Sequence, residues 1–550
     1  MPNTKKSDSA FIVQGSILAV ASIISRIIGL VYRIPLTAII GKTGNDYYGT
    51  AFEIYNIILI ISSYSIPLAV SKLVAARLAA GERKNMMKVL KGSLVFAAIS
   101  GGAGCAIVWF AADLFTGWLK TPYASPALRV LAPVILIVAI LGVLRGFFQG
   151  LGTMVPTAIS QIAEQITNAI VSVVAAYSLF AYGKKVGAVL GNEKQVAAAY
   201  GAAGGTLGTA CGALIALAFM IFVFFLFYSR FKAKVVRDHT VNYAGYGQIM
   251  KTLVFTIVPV LLSTTIYNIS SIIDQTIFKN IAVAQAYSAG EISEWWGVYT
   301  GQFKVLINVP ISIASAMAAS AVPTLTKAYK AGDMKLCRRQ IHSATRFTML
   351  IAFPCAFGLM ALGGPIMMLL FSDPDKTSQM MMTVGAASVI FYSLSTLSNG
   401  LLQGIDRLRI PVRNAAIALV IQALFLVFLM RTCRLNIYAV VLANAFYALL
   451  MCVLNGIAVR RYSGTKQDIH TTYIEPCIAS IVMAIAVWLI YTGFHALTHS
   501  NAISTILAIL AGMLIYLFLL LITHSVTEEE LLRLPKGAAL VRIIKKTGLL

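Results

Sequence analysis

About fourteen apolar stretches, each long enough to cross a bilayer, follow one another along the chain. Their approximate limits are 11–40, 48–70, 92–115, 128–149, 157–182, 197–228, 252–278, 297–323, 347–371, 380–404, 411–431, 436–458, 473–495 and 501–522. With 59% hydrophobic and only 12% charged residues, a water-soluble globular class is excluded. The expected fold is an all-α polytopic membrane protein. No cleavable signal pattern precedes the first stretch, so the first helix is expected to be retained.

The net charge is +24, from 44 Lys and Arg against 20 Asp and Glu. With both termini placed in the cytoplasm, about 31 of the 44 basic residues fall on that side and about 10 outside. Arg26, Arg33 and Lys304 fall within spans. The positive-inside rule favours this orientation and accounts for the excess charge without nucleic acid. The seven cysteines are scattered, form no Cys-x-x-Cys pair, and read as small core residues.

Two arginines inside the first apolar stretch carry the functional argument. Arg26 and Arg33 are seven residues apart and share a helix face, with Gly29 between them. Each costs about 2.5–3.5 kcal/mol at mid-membrane depth on insertion scales. Two such cations need an anionic partner or a wet cavity, unless they form a structural ion pair or snorkel to an interface. Pro35 removes a backbone donor and invites a kink.

An internal repeat organises the chain. Arg145 to Pro156 reads RGFFQGLGTMVP, and Asn399 to Pro411 reads NGLLQGIDRLRIP, at an offset of about 254. Ala69–Leu73 leading to Gly81-Glu82 matches Ala321–Leu325 leading to Gly332-Asp333, at an offset of about 251. Spans one to six therefore map onto spans seven to twelve. Two six-helix repeat lobes plus two C-terminal helices follow, and substrate is expected between the lobes, with alternating access. The expected divisions are an N-terminal lobe 1–229, a basic cytoplasmic linker 230–251, a C-terminal lobe 252–460, two added spans within 461–522, and a cytoplasmic amphipathic tail 523–550.

Other polar residues lie in or beside spans. Asp46 is in the first outer turn and Glu53 early in the second span. Gln161, Glu164 and Asn168 form one polar face of the fifth span. Glu164 and Asp274 suit either structural pairing or a role in gating or ion coupling, with Asp46 and Glu53. Arg145 suits a topology anchor at the inner interface as well as a substrate contact. Lys304 suits the outer mouth of a cavity. The lone amides suit interhelical hydrogen bonds, worth about 0.6 kcal/mol on average. Gly204, Gly208 and Gly212 form a packing seam. Gly41-Lys42-Thr43 lacks the upstream glycine of a phosphate-binding loop. No metal-spaced cluster and no nucleophile motif is present, so nothing supports an enzyme, and no cofactor is implied.

The chain resembles the polysaccharide-exporter branch of the multidrug/oligosaccharidyl-lipid/polysaccharide flippase superfamily, and within it the MurJ-type lipid II flippases. The resemblance is carried by SRIIGLVYR at Ser25–Arg33, Asp46, IPLAVSKL at Ile66–Leu73, Arg145–Gln165, and EEELLRLPKG at Glu528–Gly537. It implies a cationic central cavity, a groove for a polyprenyl tail at the last two helices, and movement of a lipid-linked cell-wall precursor to the outer leaflet of the bacterial plasma membrane. Arg26 and Arg33 would hold the diphosphate, Asp46 would sit near the outer gate, and Lys304 lies near where some relatives carry an arginine. The partners implied are a lipid-linked anionic glycan as substrate and membrane lipids. Na+ or H+ is the candidate coupling ion, wall-synthesis enzymes are candidate contacts, and nucleic acid is not among them. The competing readings are a flippase for a sporulation or capsule glycan, an ion-coupled multidrug exporter, and a scaffold for wall-synthesis enzymes. Arg26 argues against an exporter of cations, which would want acids at that depth.

Overall fold

The computed structural model describes residues 17–18, 20–236, 238, 245–465 and 467–523. The amphipathic tail expected beyond 523, most of the basic linker's central part, and the first residues of the chain lie outside them. The described residues are helical throughout, with α1 at Val20–Val31. The first half continues as α2 (Arg33–Leu59), α3 (Ile66–Ala79), α4 (Arg83–Trp118), α5 (Ser125–Gly150), α6 (Val155–Leu190) and α7 (Glu193–Val236). There follow α8 (Tyr246–Asn268), α9 (Ser270–Ala284), α10 (Ala289–Val298), α11 (Lys304–Lys330), α12 (Met334–Phe371) and α13 (Lys376–Gly385). The chain then runs through α14 (Ser388–Gly404), α15 (Arg409–Arg431), α16 (Asn436–Ser463), α17 (Glu475–Thr498) and α18 (Asn501–Ile522).

Among the described residues, eleven helical segments are long and apolar enough to cross a membrane, or twelve if α13 and α14, bent by 45°, form one span. The expected first and seventh spans are each divided between two helices. A turn at Tyr32 divides α1 from α2, and Gly41 (φ 68°, ψ −177°) interrupts α2 itself. Pro35 explains the first break, since its ring nitrogen cannot bond the carbonyl of Val31 one turn earlier. Only glycine adopts the Gly41 conformation without strain. At the seventh span the break is Ile269, between α8 and α9.

The chain divides into two compact units, Met1–Gly301 and Gln302–Leu550. This division of packing falls in the π-turn Tyr299–Phe303, so α8, α9 and α10 belong with the first unit. It differs from the expected repeat boundary at the basic linker. The outward faces are apolar, as lipid contact demands: Phe110 is 84% and Leu514 69% exposed.

The repeat is written in the backbone. After α5, Thr153 N–H donates to the Phe148 carbonyl and Gly152 to Gln149, with Gly152 at φ 83°. After α14, Arg407 donates to Leu402 and Asp406 to Gln403, with Asp406 at φ 59°. Each is a Schellman cap with its left-handed residue at the same repeat position. The second motif pair behaves alike. Glu82 donates to Arg77 past Gly81 (φ 75°), and Asp333 donates to Ala328 past Gly332 (φ 74°).

Candidate functional site

The functional candidates gather on two faces of the first unit. The first is where α1 runs along α6. Ser22 Oγ donates to Gln161 Oε1 at 3.4 Å, and a Cβ at Gly29 would stand 3.6 Å from Gln165 Oε1. Asn168 Nδ2 donates to the Tyr32 hydroxyl at 3.4 Å. The polar face read from Gln161, Glu164 and Asn168 is thus the face that meets α1. Arg26 lies on the same side of α1 as Ser22 and Gly29, and it is exposed. Arg33 is half-buried, its guanidinium carbon 4.4 Å above the Tyr48 ring. Such a contact contributes about 0.5–2 kcal/mol. Arg33 Nη1 is buried and has no hydrogen-bond partner among the described residues. A buried guanidinium nitrogen without an acceptor is an open donor for an anion.

Arg145 is committed within the chain. Its Nη2 donates to Glu164 Oε2 at 2.8 Å and its Nε to Ser160 Oγ at 2.9 Å, with both charged side chains largely buried. Of the two roles open to Glu164 in the sequence, pairing is the one this geometry displays.

The second face is a buried ionic cluster around Asp46. Lys279 Nζ donates to Asp46 Oδ1 at 2.5 Å and to Thr121 Oγ1 at 2.6 Å. Ser293 Oγ donates to Asp46 Oδ2 at 2.7 Å. Thr50 Oγ1 donates to Asp46 Oδ1 at 3.2 Å and accepts from Gln275 Nε2 at 2.6 Å. Asp46 and Lys279 are each 1% exposed. Two i, i+4 pairs build the contact, Asp46 and Thr50 on α2 facing Lys279 and Gln275 on α9. α10 adds Ser293, set by a start that carries a capping box between Ser288 and Glu291. Small residues allow the approach: a Cβ at Gly297 would strike the Lys42 carbonyl, and one at Gly49 would come within 2.9 Å of Thr300 Oγ1.

The charge tally counts Lys279 among the outer cations, because the apolar stretch before it stops at 278. The structure corrects this: α9 continues to Ala284 and holds Lys279 inside the bundle. Glu53, seven residues after Asp46 on α2, is within electrostatic range of Lys279. Asp274 is 2% exposed on α9. Lys304 opens α11 in the second unit, directly after the π-turn Tyr299–Phe303. The first unit therefore brings together the candidates at 26, 33, 46, 53, 145, 164 and 274, and adds Lys279 to them.

A family model described as polysaccharide biosynthesis protein matches residues 13–329. The chain belongs to this family. Among its relatives, lipid II flippase MurJ of Bacillus subtilis (strain 168) is 24% identical over 522 residues, 91% of this chain and 93% of that protein. Stage V sporulation protein B of the same organism is 24% identical over 541 residues, 94% of this chain and 96% of that one. Among solved structures, lipid II flippase MurJ in an inward closed conformation superposes with a TM-score of 0.65 at 15% identity, covering 91% of this chain and 97% of that chain. An inward-facing multidrug resistance MATE family transporter of the MOP superfamily gives 0.64 at 16% identity, covering 80% and 94%. This polysaccharide biosynthesis family member is a multi-pass membrane protein with the fold that MurJ and MATE share, as the sequence resemblance implies.

Proposed function

We propose that the chain is a flippase that moves a polyprenyl-diphosphate-linked glycan precursor, of the lipid II class, from the inner to the outer leaflet of the plasma membrane. Both termini are cytoplasmic in this reading. The observation that carries it is the open donor on Arg33 at the start of α2, seven residues after the exposed Arg26 of α1 and across the break at Tyr32 that divides the expected single helix face. A diphosphate supplies anionic oxygens that accept hydrogen bonds from two guanidinium groups. The Bacillus relatives named for lipid II and for sporulation are equally similar at 24%, which favours a shared polyprenyl-linked chemistry over any single glycan. A sporulation or capsule glycan is therefore the second reading.

Within this reading the Asp46–Lys279 cluster is the outer closure, and its breakage accompanies opening to the outside. Glu53 and Asp274, next to that cluster in the chain, are the candidates for coupling to Na+ or H+. The sequence repeat supports alternating access, and no nucleotide motif calls for hydrolysis.

The test uses cells depleted of their own lipid II flippase. They express this chain, wild type or Arg26→Ala, and lipid II accessible at the outer leaflet is measured. Loss of a charged hydrogen-bond donor costs about 1.5–3 kcal/mol, so the variant should fall at least tenfold below wild type at equal membrane level. Failure of both moves the reading to another lipid-linked glycan. Full activity of both refutes the role given to Arg26.

A further inference from the structure

The second unit holds a cleft of about 430 Å³ that the transport reading does not use. It lies where α16 ends and the chain turns into α17, between α12, α14 and α16. That volume falls in the range of about 300–1,000 Å³ typical of small-molecule sites. Leu394 and Leu401 of α14, with Val459 and Ile469, make its apolar wall. Arg460 and Gln467 stand at its polar side.

The wall is built, not incidental. Arg338, His342 and Thr345 sit at i, i+4 and i+7 on α12 and pin the loop that closes the cleft. Arg338 Nε donates to the Ser463 carbonyl at 3.1 Å. His342 Nδ1 and Gln467 Oε1 are 3.0 Å apart, and Gln467 Nε2 donates to Thr345 Oγ1 at 3.2 Å. Gly464, at φ 65°, ends α16, and its N–H donates to the Arg460 carbonyl at 2.9 Å. The next acid along the loop, Asp468, is engaged by the Thr471 hydroxyl at 2.8 Å and the His470 N–H at 3.0 Å. Arg460 is exposed and forms no ion pair among the described residues, and Arg461 follows it in the same last turn. A Cβ at Gly456, one turn before Arg460, would meet nothing within 4 Å, so the mouth is open. A π-turn, His470–Ile474, starts the next span beside the cleft. Such turns occur frequently at functional sites.

A cation at the mouth of a half-apolar cleft, at the membrane side rich in basic loops, matches a molecule with a phosphate at one end and hydrocarbon at the other. We propose that this cleft binds an anionic membrane lipid, with Arg460 holding the phosphate and one hydrocarbon chain lying along Leu394, Leu401 and Ile469. The source is either bulk phospholipid or a polyprenyl diphosphate waiting at the inner leaflet. The site stands independently of the flippase reading, because it is tested by binding and not by transport.

The experiment is native mass spectrometry of the purified full chain, as wild type, Arg460→Gln and Gly456→Trp, titrated with dioleoylphosphatidylglycerol. Wild type should retain one tightly held lipid more than either variant, with apparent affinity about tenfold higher for that lipid. Arg460→Gln removes the charge and leaves the space. Gly456→Trp fills the space and leaves the charge. Retention of the wild-type count and affinity by either one overturns the site as described. If Gly456→Trp does not fold, Arg460→Gln, at an exposed position, decides alone. Adding undecaprenyl diphosphate separates the sources. Displacement of the phosphatidylglycerol assigns the site to the polyprenyl class, and no displacement assigns it to a resident phospholipid. Either result supports the cleft as a lipid site.

Discussion

Replacing Lys279 by Met should destabilise the protein far more than replacing both members of its ion pair. The two charges are 2.5 Å apart and each is 1% exposed. At an effective dielectric of about 20 their gross attraction is about 7 kcal/mol. Desolvating the two ions costs several kcal/mol each, so the net value of the intact pair against an apolar replacement is near zero. Lys279→Met keeps the buried Asp46 carboxylate but leaves it only the donors from Ser293 and Thr50. Leaving one buried charge without its partner costs about 3–5 kcal/mol. Asp46→Asn removes the counter-charge of Lys279 in the same way, leaving it neutral acceptors such as Thr121 Oγ1. The double variant removes both charges of the pair and keeps similar volume, so it should cost no more than about 2 kcal/mol. The single effects should then fail to add by several kcal/mol, beyond what separate sites show. Denaturant unfolding of the full chain in detergent measures this. Trp296 is a local reporter, fully buried and stacked on Phe278 with ring centroids 5.6 Å apart. Single variants costing under about 1 kcal/mol, or a double variant equal to their sum, would refute the argument that this is a desolvated, mutually dependent pair.

Two further outcomes follow from local geometry. Gly208→Val should overpack the α6–α7 seam, because a Cβ there would stand 2.6 Å from the Asn168 carbonyl and collide with Ser172. A loss of about 1–3 kcal/mol or more is expected, seen as a lower thermal midpoint of the purified chain, while Gly102→Ala, where a Cβ meets nothing within 4 Å, should change little. In the exposed turn between α3 and α4, Asn85 and Arg77 donate to Glu82 and hold its carboxyl below the ordinary value. A depressed acid adds stability above its unfolded pKa, and that stability is lost as pH falls through the folded pKa. Asn85→Ala should therefore raise the Glu82 pKa, and carboxyl-carbon NMR titration tests it.

Much of this architecture was legible because its signals are local. The repeat could be read from Gly-Leu-Gly against Gly-Ile-Asp after a shared Gln, since a Schellman cap needs its left-handed residue at a set distance from the helix end. The break before Arg33 follows from Pro35, one turn downstream. The polar face of α6 was legible from spacing alone, and it meets α1 at Ser22, Gly29 and Tyr32. Lys279 was not legible. A lysine just beyond an apolar stretch looks like a topology signal, and its burial depends on an aspartate 233 positions away. The available hint was the complementarity of two i, i+4 pairs, Asp46 with Thr50 and Gln275 with Lys279. Nothing local says which distant pairs meet. The packing division at Gly301 was equally hidden, because it falls inside one apolar span.

The repeat also shows where charge has been placed. Arg145 and Ser160 of the first unit correspond, at the offset of 254, to Asn399 and Asn414 of the second. In the first unit these positions form a hydrogen bond extended by an ion pair to Glu164. In the second, Asn414 Nδ2 donates to Asn455 Oδ1 at 2.9 Å and Asn455 Nδ2 to Asn399 Oδ1 at 2.6 Å. A neutral amide chain satisfies buried polar atoms without the desolvation cost of ions, so it suits a joint that only has to hold. An ion pair is a poor choice for holding, since apolar packing would stabilise as well. Its distinctive property is a large change in energy when one partner is lost or neutralised. The unit that carries Arg26 and Arg33 also carries the buried Asp46–Lys279 pair and the Arg145–Glu164 pair. Equivalent backbone thus carries unequal charge: these two buried ion pairs lie in the first packing unit, and a neutral amide chain stands at the positions of the second that match Arg145 and Ser160.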